Sequence, residues 1–350
     1  MIQSGKKNAV TDVAGLMVGN FSSVEAASGV TVVLCLEGAV AGVDVRGSAP
    51  GTRETDLLQP LNLVEKVQAI VLTGGSVYGL ATADGVVRWL AGQGSGFPLG
   101  NGMVAPIVPA AALFDLGRGK DYVPPIGPDW GIRACESAHA GPVPVGCVGA
   151  GTGAQAGSIK GGLGTASEVL DSGLTVAALV AVNSLGSVID PATGIPWEIG
   201  REVNGEFGGR GRKAVKLPDQ TQPGSVSNTT IGLVATDAVL TKAQAQKIAQ
   251  MAHDGLARAI RPAHTMFDGD TIFCLATGKV NLPAGQGFFQ VAQAQALNDL
   301  GRAAADCMSR AIVRAVLEAE TLGGIVSFMD LAPLSQDRIE PVHPTTEGRI

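Results

Sequence analysis

The residues with the clearest chemical potential lie about two-thirds of the way along the chain. There a polar break, Ser227-Asn228-Thr229-Thr230, runs into an alternating apolar strand at 231–236. A Thr that becomes a new N-terminus carries a nucleophilic hydroxyl and a potential base, its own α-amino group, on one residue. That amine titrates near pH ~8, so part of it is neutral at working pH. The junction suggests cleavage before Thr229; an ordinary Ser/Asn/Thr turn ahead of a strand is the alternative.

The composition favours a well-packed, enzyme-like body over a disordered or interaction-tail protein. Of 350 residues, 45% are hydrophobic and 16% charged, which argues against a disordered chain. The net charge of -6 and the absence of a Lys/Arg-rich run argue against binding to nucleic acid. With 49 glycines and 4% aromatics, the core must be filled mainly by Ala, Val, Leu and Ile.

Cysteine usage and the N-terminus predict a cytoplasmic protein with no membrane partner. Lys6 and Lys7 precede an apolar stretch, but Asp12 interrupts it before a signal-peptide core can form. No stretch is long and apolar enough to span a bilayer. The cysteines are odd in number, lack a C-x-x-C motif, and are expected to be reduced and mostly buried: Cys35, Cys135, Cys147, Cys274 and Cys307.

Short strand patterns alternate with longer helical ones. A hairpin is predicted from 30–36 and 40–45 around Glu37-Gly38-Ala39, with further strands at 69–73, 174–182, 231–236 and 271–277. Helices are predicted at 76–90, from the Thr241/Gln244 capping box to near Pro262, and at 291–320 with an interruption at Gly301. The order lacks regular βαβ alternation, which favours antiparallel or mixed sheets covered by helices in a layered α/β/β/α body.

The Gly/Pro-rich region 191–227 has no periodic pattern and is predicted to be a mobile surface segment. A cut at its end would separate two fragments without breaking a packed element. The tail from Leu331 onward is likewise predicted to be a surface segment.

Four other features carry side chains suited to an active site. Asp268-Gly269-Asp270 places two carboxylates just before a strand, although such a turn is also common in hairpins and cation sites. The Gly-rich loop 149–162 presents Lys160 but lacks the phosphate-loop pattern. Tyr78, in the segment 74–80, and Asn183 both follow predicted strands.

Together these segments resemble the DmpA-type peptidase family, which includes L-aminopeptidase/D-esterases, β-aminopeptidases and nylon-oligomer hydrolases. The motifs keep the family's order from about residue 10 to about residue 320, and six together are specific although each alone is weak. They are Asp44-Val45-Arg46-Gly47 with Pro50-Gly51-Thr52-Arg53-Glu54-Thr55, Gly74-Gly75-Ser76-Val77-Tyr78-Gly79, Phe114-Asp115-Leu116-Gly117, Gly149-Ala150-Gly151-Thr152-Gly153, Asn228-Thr229-Thr230-Ile231-Gly232 and Asp268-Gly269-Asp270-Thr271.

The resemblance implies a four-layer α/β/β/α fold, similar to N-terminal-nucleophile hydrolases but differently connected. It also implies one self-processing domain over 1–350, cut between Asn228 and Thr229 into an α fragment, 1–228, and a β fragment, 229–350. Much of the family has Ser after Gly at the cut; Thr after Asn is more similar to the nylon-oligomer hydrolases.

The matching motifs also imply roles for individual residues. Thr229 corresponds to the nucleophile, and Asp268 and Asp270 to the polar pair that orients it and its new amino group. Lys160 corresponds to a lysine close to the nucleophile. Asn183 and Tyr78 correspond to the donors that stabilise the oxyanion formed during amide hydrolysis. The general base stays open among the amine, Lys160 and a water-mediated group. The two carboxylates favour the charged form of the amine, whereas a nearby lysine favours its neutral form.

One departure affects the expected substrate. An aminopeptidase needs a carboxylate for the substrate's ammonium group, and 74–80 offers none beside Tyr78. Asp84 or Asp121 are the alternatives, and an endo-acting or side-chain amidase remains open. The choice among α-peptides, β-peptides, D-amino esters and amide oligomers is likewise open.

The sequence as a whole predicts an N-terminal-nucleophile-type aminopeptidase or amidase acting on small peptides or amide oligomers. We expect no cofactor and no metal, because four histidines and five cysteines show no ligand spacing. We expect a homo-oligomer of α/β heterodimers, with a tetramer favoured. The alternatives are an acyltransferase of the ornithine acetyltransferase type and a non-catalytic small-molecule-binding protein, which would remain one intact chain.

Overall fold

The computed structural model describes residues 2–218, 228–283 and 291–333. Its strands are β1 (Met17–Ser23), β2 (Ser28–Val45), β3 (Gly51–Arg53), β4 (Lys66–Thr73), β5 (Phe97–Gly100), β6 (Met103–Ala105), β7 (Ala110–Ala112), β8 (Gln155–Ala156), β9 (Ile159–Lys160), β10 (Gly162–Val169), β11 (Thr175–Val182), β12 (Ile189–Asp190), β13 (Ile195–Pro196), β14 (Ile231–Ala238) and β15 (Thr271–Val280). Its helices are α1 (Ser76–Gly79), α2 (Thr82–Gly92), α3 (Pro128–Glu136), α4 (Lys242–Ala259) and α5 (Val291–Leu317).

One large mixed sheet organises the chain in the order β10-β11-β14-β15-β2-β4-β7-β3, with β1 paired to β2. The pairs β14–β15 and β4–β7 are parallel, and the other pairs in this sheet are antiparallel. The 18-residue strand β2 joins the two halves of the sheet. Its first half pairs with β4, and its second half pairs with β15.

Three separate cores show that the two halves of the sheet form two layers. In β11, Val176, Ala178 and Val180 pack with α4 and α5, whereas the alternate residues point the other way. Those alternate side chains form a middle core with residues of β2 and β4. On the far side, α2 and α3 pack against β2 and β4 in a third core. The period-2 alternation of strands thus produces the predicted four layers, α/β/β/α.

Several local predictions are confirmed. Thr241 caps α4: its hydroxyl accepts from Gln244 N at 3.3 Å, and Gln244 Oε1 accepts from Thr241 N at 2.9 Å. The strands predicted at 69–73, 174–182, 231–236 and 271–277 correspond to β4, β11, β14 and β15. The five cysteines are free, and all except Cys147 are buried.

Other predictions are wrong. Residues 30–45 form one strand rather than a hairpin, with a register shift between Leu34 and Ala39. Helix α5 continues through Gly301 without interruption. The glycine there makes room for the side chain of Met251, whose Cε would lie 2.2 Å from a Cβ at position 301. The helical pattern 76–90 is split into α1 and α2. Helix α3 was not predicted.

Within 191–218, most residues of the Gly/Pro-rich region are exposed or half-buried, as the prediction of a surface segment requires, but a few side chains anchor it to the body of the protein. Phe207 is 1% exposed, and the buried Arg310 of α5 forms an ion pair with Glu206 at 2.6 Å. Residues 219–227 and the tail 334–350 lie outside the described residues. Within the described ranges, no helix is both long enough and apolar enough to cross a membrane.

Candidate active site

Strand pairing brings distant segments to one edge of the sheet. Ile231, at the start of β14, pairs with Thr271 of the parallel strand β15 and with Ala181 of the antiparallel strand β11. The residues before β14, before β15 and after β11 are therefore neighbours. A further parallel bridge between Asn228 and Asp268 extends the β14–β15 pairing backward.

Thr229 lies at the centre of this edge and is 4% exposed. Its hydroxyl donates to the carbonyl oxygen of Asn228 at 2.5 Å, so it is held against the peptide bond that precedes it. Its backbone N–H donates to Asn183 O at 2.5 Å, and Gly269 N lies 3.2 Å from its Oγ1. Both sides of the Asn228–Thr229 peptide are thus fixed by neighbouring strand ends.

Asp268 is buried and orders the turn before β15. Its Oδ2 accepts from Thr265 N at 3.0 Å and from Thr265 Oγ1 at 2.5 Å, and its Oδ1 accepts from Leu185 N at 3.2 Å. Burial raises the pKa of this carboxyl, and the nearby charge of Asp270 raises it further. These hydrogen bonds connect the turn to the segment after Asn183; none joins Asp268 to the Thr229 hydroxyl.

Asp270 holds the residue that follows the nucleophile. Its Oδ1 accepts from Thr230 N at 2.8 Å. Its Oδ2 accepts from His264 N at 3.0 Å and contacts His264 Nδ1 at 2.8 Å. The two predicted carboxylates therefore position the backbone around Thr229 and do not contact its hydroxyl. His264, which precedes the turn in the chain, is a direct partner of Asp270.

Asn183 is fully buried after β11, and its amide has a defined orientation. Its Oδ1 accepts from Arg118 Nη1 at 2.5 Å and from Gln155 N at 3.1 Å, so its Nδ2 faces the other way and donates to Phe114 O at 3.1 Å. Sequence reasoning missed Arg118, which lies in a loop that matches no motif. Burial lowers the pKa of its guanidinium to about 10, against the opposing charge of Asp115.

Lys160 belongs to the same neighbourhood but is itself fully buried. Its Nζ donates to the carbonyls of Gly151, Ala154 and Gly161 at 3.1, 2.8 and 2.9 Å. Burial lowers its pKa to about 8. Lys160 pairs with Gln155 in the hairpin β8–β9, and the N–H of Gln155 donates to the Asn183 amide. Lys160 is thus linked to Asn183 through Gln155. No hydrogen bond joins its ammonium group to Thr229.

Tyr78 is 52% exposed, and within the described residues no hydrogen bond joins it to Thr229 or Asn183. Its loop is anchored by Gly75 N, which donates to Asp115 Oδ1 at 2.6 Å. Asp84, one candidate for binding a substrate ammonium, forms an ion pair with Arg53 at 2.6 Å.

A metal centre is not assembled at this edge. Within residues 2–218, 228–283 and 291–333, no group of three or more His, Cys, Asp or Glu side chains could hold a metal ion. The rings of His264 and His253 lie 4.9 Å apart, and His253 Nε2 contacts Asp44 O at 3.0 Å. Burial lowers the pKa of His253 to about 4. This histidine is a packed, neutral side chain.

Sequence comparison identifies relatives over most of the chain. An uncharacterised aminopeptidase of Mycobacterium tuberculosis is 48% identical over 343 residues, covering 93% of this chain and 98% of the relative. A 6-aminohexanoate-oligomer endohydrolase of Kocuria is 29% identical over 326 residues, covering 89% and 87%.

Solved structures show the same fold. A β-aminopeptidase of Burkholderia has a TM-score of 0.71 and 26% identity, covering 94% of this chain and 92% of that one. The L-aminopeptidase D-Ala-esterase/amidase of Ochrobactrum anthropi, described as a variant of the N-terminal-nucleophile hydrolase fold, has a TM-score of 0.71 and 23% identity with the same coverage. The profile of peptidase family S58 matches residues 8–327. The DmpA-type resemblance is confirmed, and the chain belongs to peptidase family S58.

Proposed function

We propose that the chain is a self-processing amidohydrolase whose nucleophile is Thr229. Family membership and the named relatives support amide-bond hydrolysis. The observation that supports this particular nucleophile is the 2.5 Å contact between Thr229 Oγ1 and Asn228 O, which holds the hydroxyl against a peptide bond fixed on both sides.

Self-cleavage proceeds by an N-to-O acyl shift. Thr229 Oγ1 bonds to the carbonyl carbon of Asn228, the carbon–nitrogen bond breaks, and the hydroxyl proton passes to the departing nitrogen. Water then hydrolyses the ester, leaving a carboxylate on Asn228 and restoring the Thr229 hydroxyl. The products are the fragments 1–228 and 229–350, and no metal takes part.

In turnover, the freed Thr229 attacks a substrate amide. Its new α-amino group is the proposed base, and Lys160 supports this role because a cation nearby favours the neutral amine. Asn183, whose amide is oriented by Arg118, and Tyr78 are the proposed oxyanion donors. Tyr78 is 52% exposed, so a bound substrate can reach its hydroxyl.

The proposed substrates are small peptides or amide oligomers. The relatives include both an aminopeptidase and an oligomer endohydrolase. Asp84, in an exposed ion pair with Arg53, and Asp121 are the proposed candidates for a substrate ammonium, and substrates without a free N-terminus are the alternative. The proposed assembly is a homo-oligomer of α/β heterodimers.

Denaturing mass spectrometry of the purified protein tests the proposal. We expect two fragments from the wild type, with the smaller beginning at Thr229, and one intact chain from Thr229→Val. Thr230→Val is the matched control, because it removes the neighbouring buried hydroxyl, which has no hydrogen-bond partner in the described structure, and should mature normally. Cleavage of Thr229→Val at the same bond would show that another group or a contaminating protease makes the cut.

A further inference from the structure

One backbone N–H touches both reacting groups of the proposed self-cleavage. Gly269 N lies 3.3 Å from the carbonyl oxygen of Asn228 and 3.2 Å from Thr229 Oγ1. The first contact is the hydrogen bond of the parallel bridge that extends β14 and β15. The pairing of these two strands therefore directs a donor at the carbonyl that Thr229 would attack.

The segment that carries this N–H is held in place on both sides. Ala49 N donates to Asp268 O at 2.9 Å, and Thr271 Oγ1 donates to Gly269 O at 2.9 Å. At Gly47, a Cβ would lie 2.2 Å from Asp270 N, so this segment packs backbone to backbone against the turn. A donor fixed in this way needs little reorganisation when negative charge develops.

Only glycine fits at position 269. A Cβ there would lie 2.5 Å from Ala49 O and 2.9 Å from Thr229 Oγ1, both shorter than real contacts of a Cβ. A side chain would push the turn away from the nucleophile. The absent side chain is what lets the N–H reach Asn228 O and Thr229 Oγ1 together.

The Asn183 amide is not placed to serve the same carbonyl in the uncut chain. Its Nδ2 donates to Phe114 O, while its own backbone oxygen accepts from Thr229 N. The carbonyl oxygen of Asn228 thus has the Gly269 N–H as its backbone donor, and the nitrogen that must leave is held by Asn183 O.

We infer that the N–H of Gly269 is the oxyanion donor for self-cleavage, separate from the side-chain donors proposed for turnover. This inference rests on the proposed nucleophile. As Thr229 Oγ1 bonds to the Asn228 carbonyl carbon, the carbonyl electron pair moves onto the oxygen, and the Gly269 N–H stabilises that charge. When the carbon–nitrogen bond breaks, the pair returns to the carbonyl and the hydroxyl proton ends on the Thr229 nitrogen.

Replacing Gly269 by glycolic acid during translation tests the inference, because the ester removes the N–H and adds no atom. We expect the rate of conversion into two fragments, followed by denaturing mass spectrometry, to fall about 10²-fold to 10³-fold. Gly269→Ala should also mature slowly. Glycolic acid and Ala at Gly51, where a Cβ makes only ordinary contacts of 3.6 Å or more, are the matched controls and should mature normally.

Asn183→Ala provides a measurement that does not depend on the fold of the Gly269 variants. Its kcat, measured on processed protein, should fall about 10-fold to 10³-fold, a larger factor than the fall in its maturation rate. Wild-type maturation of the ester variant, or equal losses of maturation and turnover in Asn183→Ala, would overturn the assignment. Thr229→Val distinguishes the two ideas, since its maturation would refute the nucleophile itself.

Discussion

The burial of Lys160 has a measurable consequence for stability. Burial lowers the pKa of this fully buried ammonium from 10.5 to about 8, a difference of about 2.5. At about 1.4 kcal/mol for each pH unit, keeping the charge in the folded protein costs about 3 kcal/mol. This cost is fully present below pH 8, where Lys160 is protonated in both the folded and the unfolded protein. It disappears as the pH rises towards 10.5, because the folded protein releases the proton first.

Lys160→Met removes this dependence. The free energy of unfolding is measured for the parent protein and for Lys160→Met at pH 7 and at pH 10.5. We expect the value for the parent minus the value for the variant to be about 3 kcal/mol higher at pH 10.5 than at pH 7. The difference between the two proteins cancels the contribution of titrating groups that do not interact with Lys160. Urea denaturation should be measured in a Thr229→Val background, so that the chain is uncut and unfolding does not depend on association of fragments. A difference in free energy that stays constant over this range would refute the lowered pKa.

The same substitution tests whether Lys160 takes part in turnover. Lys242 is the matched control, because its Nζ also donates to three carbonyls, those of Leu57, Asn62 and Val64, but it lies beyond the opposite end of β14. Processed Lys160→Met should hydrolyse an amide at least tenfold more slowly than the wild type, whereas Lys242→Met should keep its kcat. Equal activity of the two variants would assign Lys160 a structural role.

Three further predictions concern the site and the core. Asn183→Ala and Tyr78→Phe should each lower kcat by about 10-fold to 10³-fold with a much smaller change in KM, measured on fully processed protein. A wild-type kcat for Asn183→Ala would instead assign the oxyanion site to backbone N–H groups. Activity should survive EDTA, and a loss that one divalent ion restores would instead identify a metal site at the Asp-Gly-Asp turn. Glu206→Gln should destabilise the fold by about 3–5 kcal/mol in urea denaturation, because it leaves Arg310 buried without its charged partner; a change below 1 kcal/mol would contradict that reasoning.

The sequence alone determined the features that depend on neighbouring residues. The capping box of Thr241 and Gln244 is made by residues three apart, and it is found as predicted. Strands β14 and β15 were recognisable because their apolar runs begin directly after polar breaks. Six motifs in the family's order led to the DmpA-type family, which the match to family S58 confirms, since each motif is a local pattern of residue types.

The tertiary structure decided what depends on strand pairing. Gly38 has a φ of +77°, as a turn would require, yet β2 continues past it because β4 and β15 bind its two halves. No local signal linked Arg118 to Asn183, or showed that Lys160 is fully buried. The position of Gly269 against Thr229 likewise depends on which strands lie side by side. Hydrogen bonds between residues far apart in the chain leave no periodic trace in either segment, so only the assembled sheet reveals them.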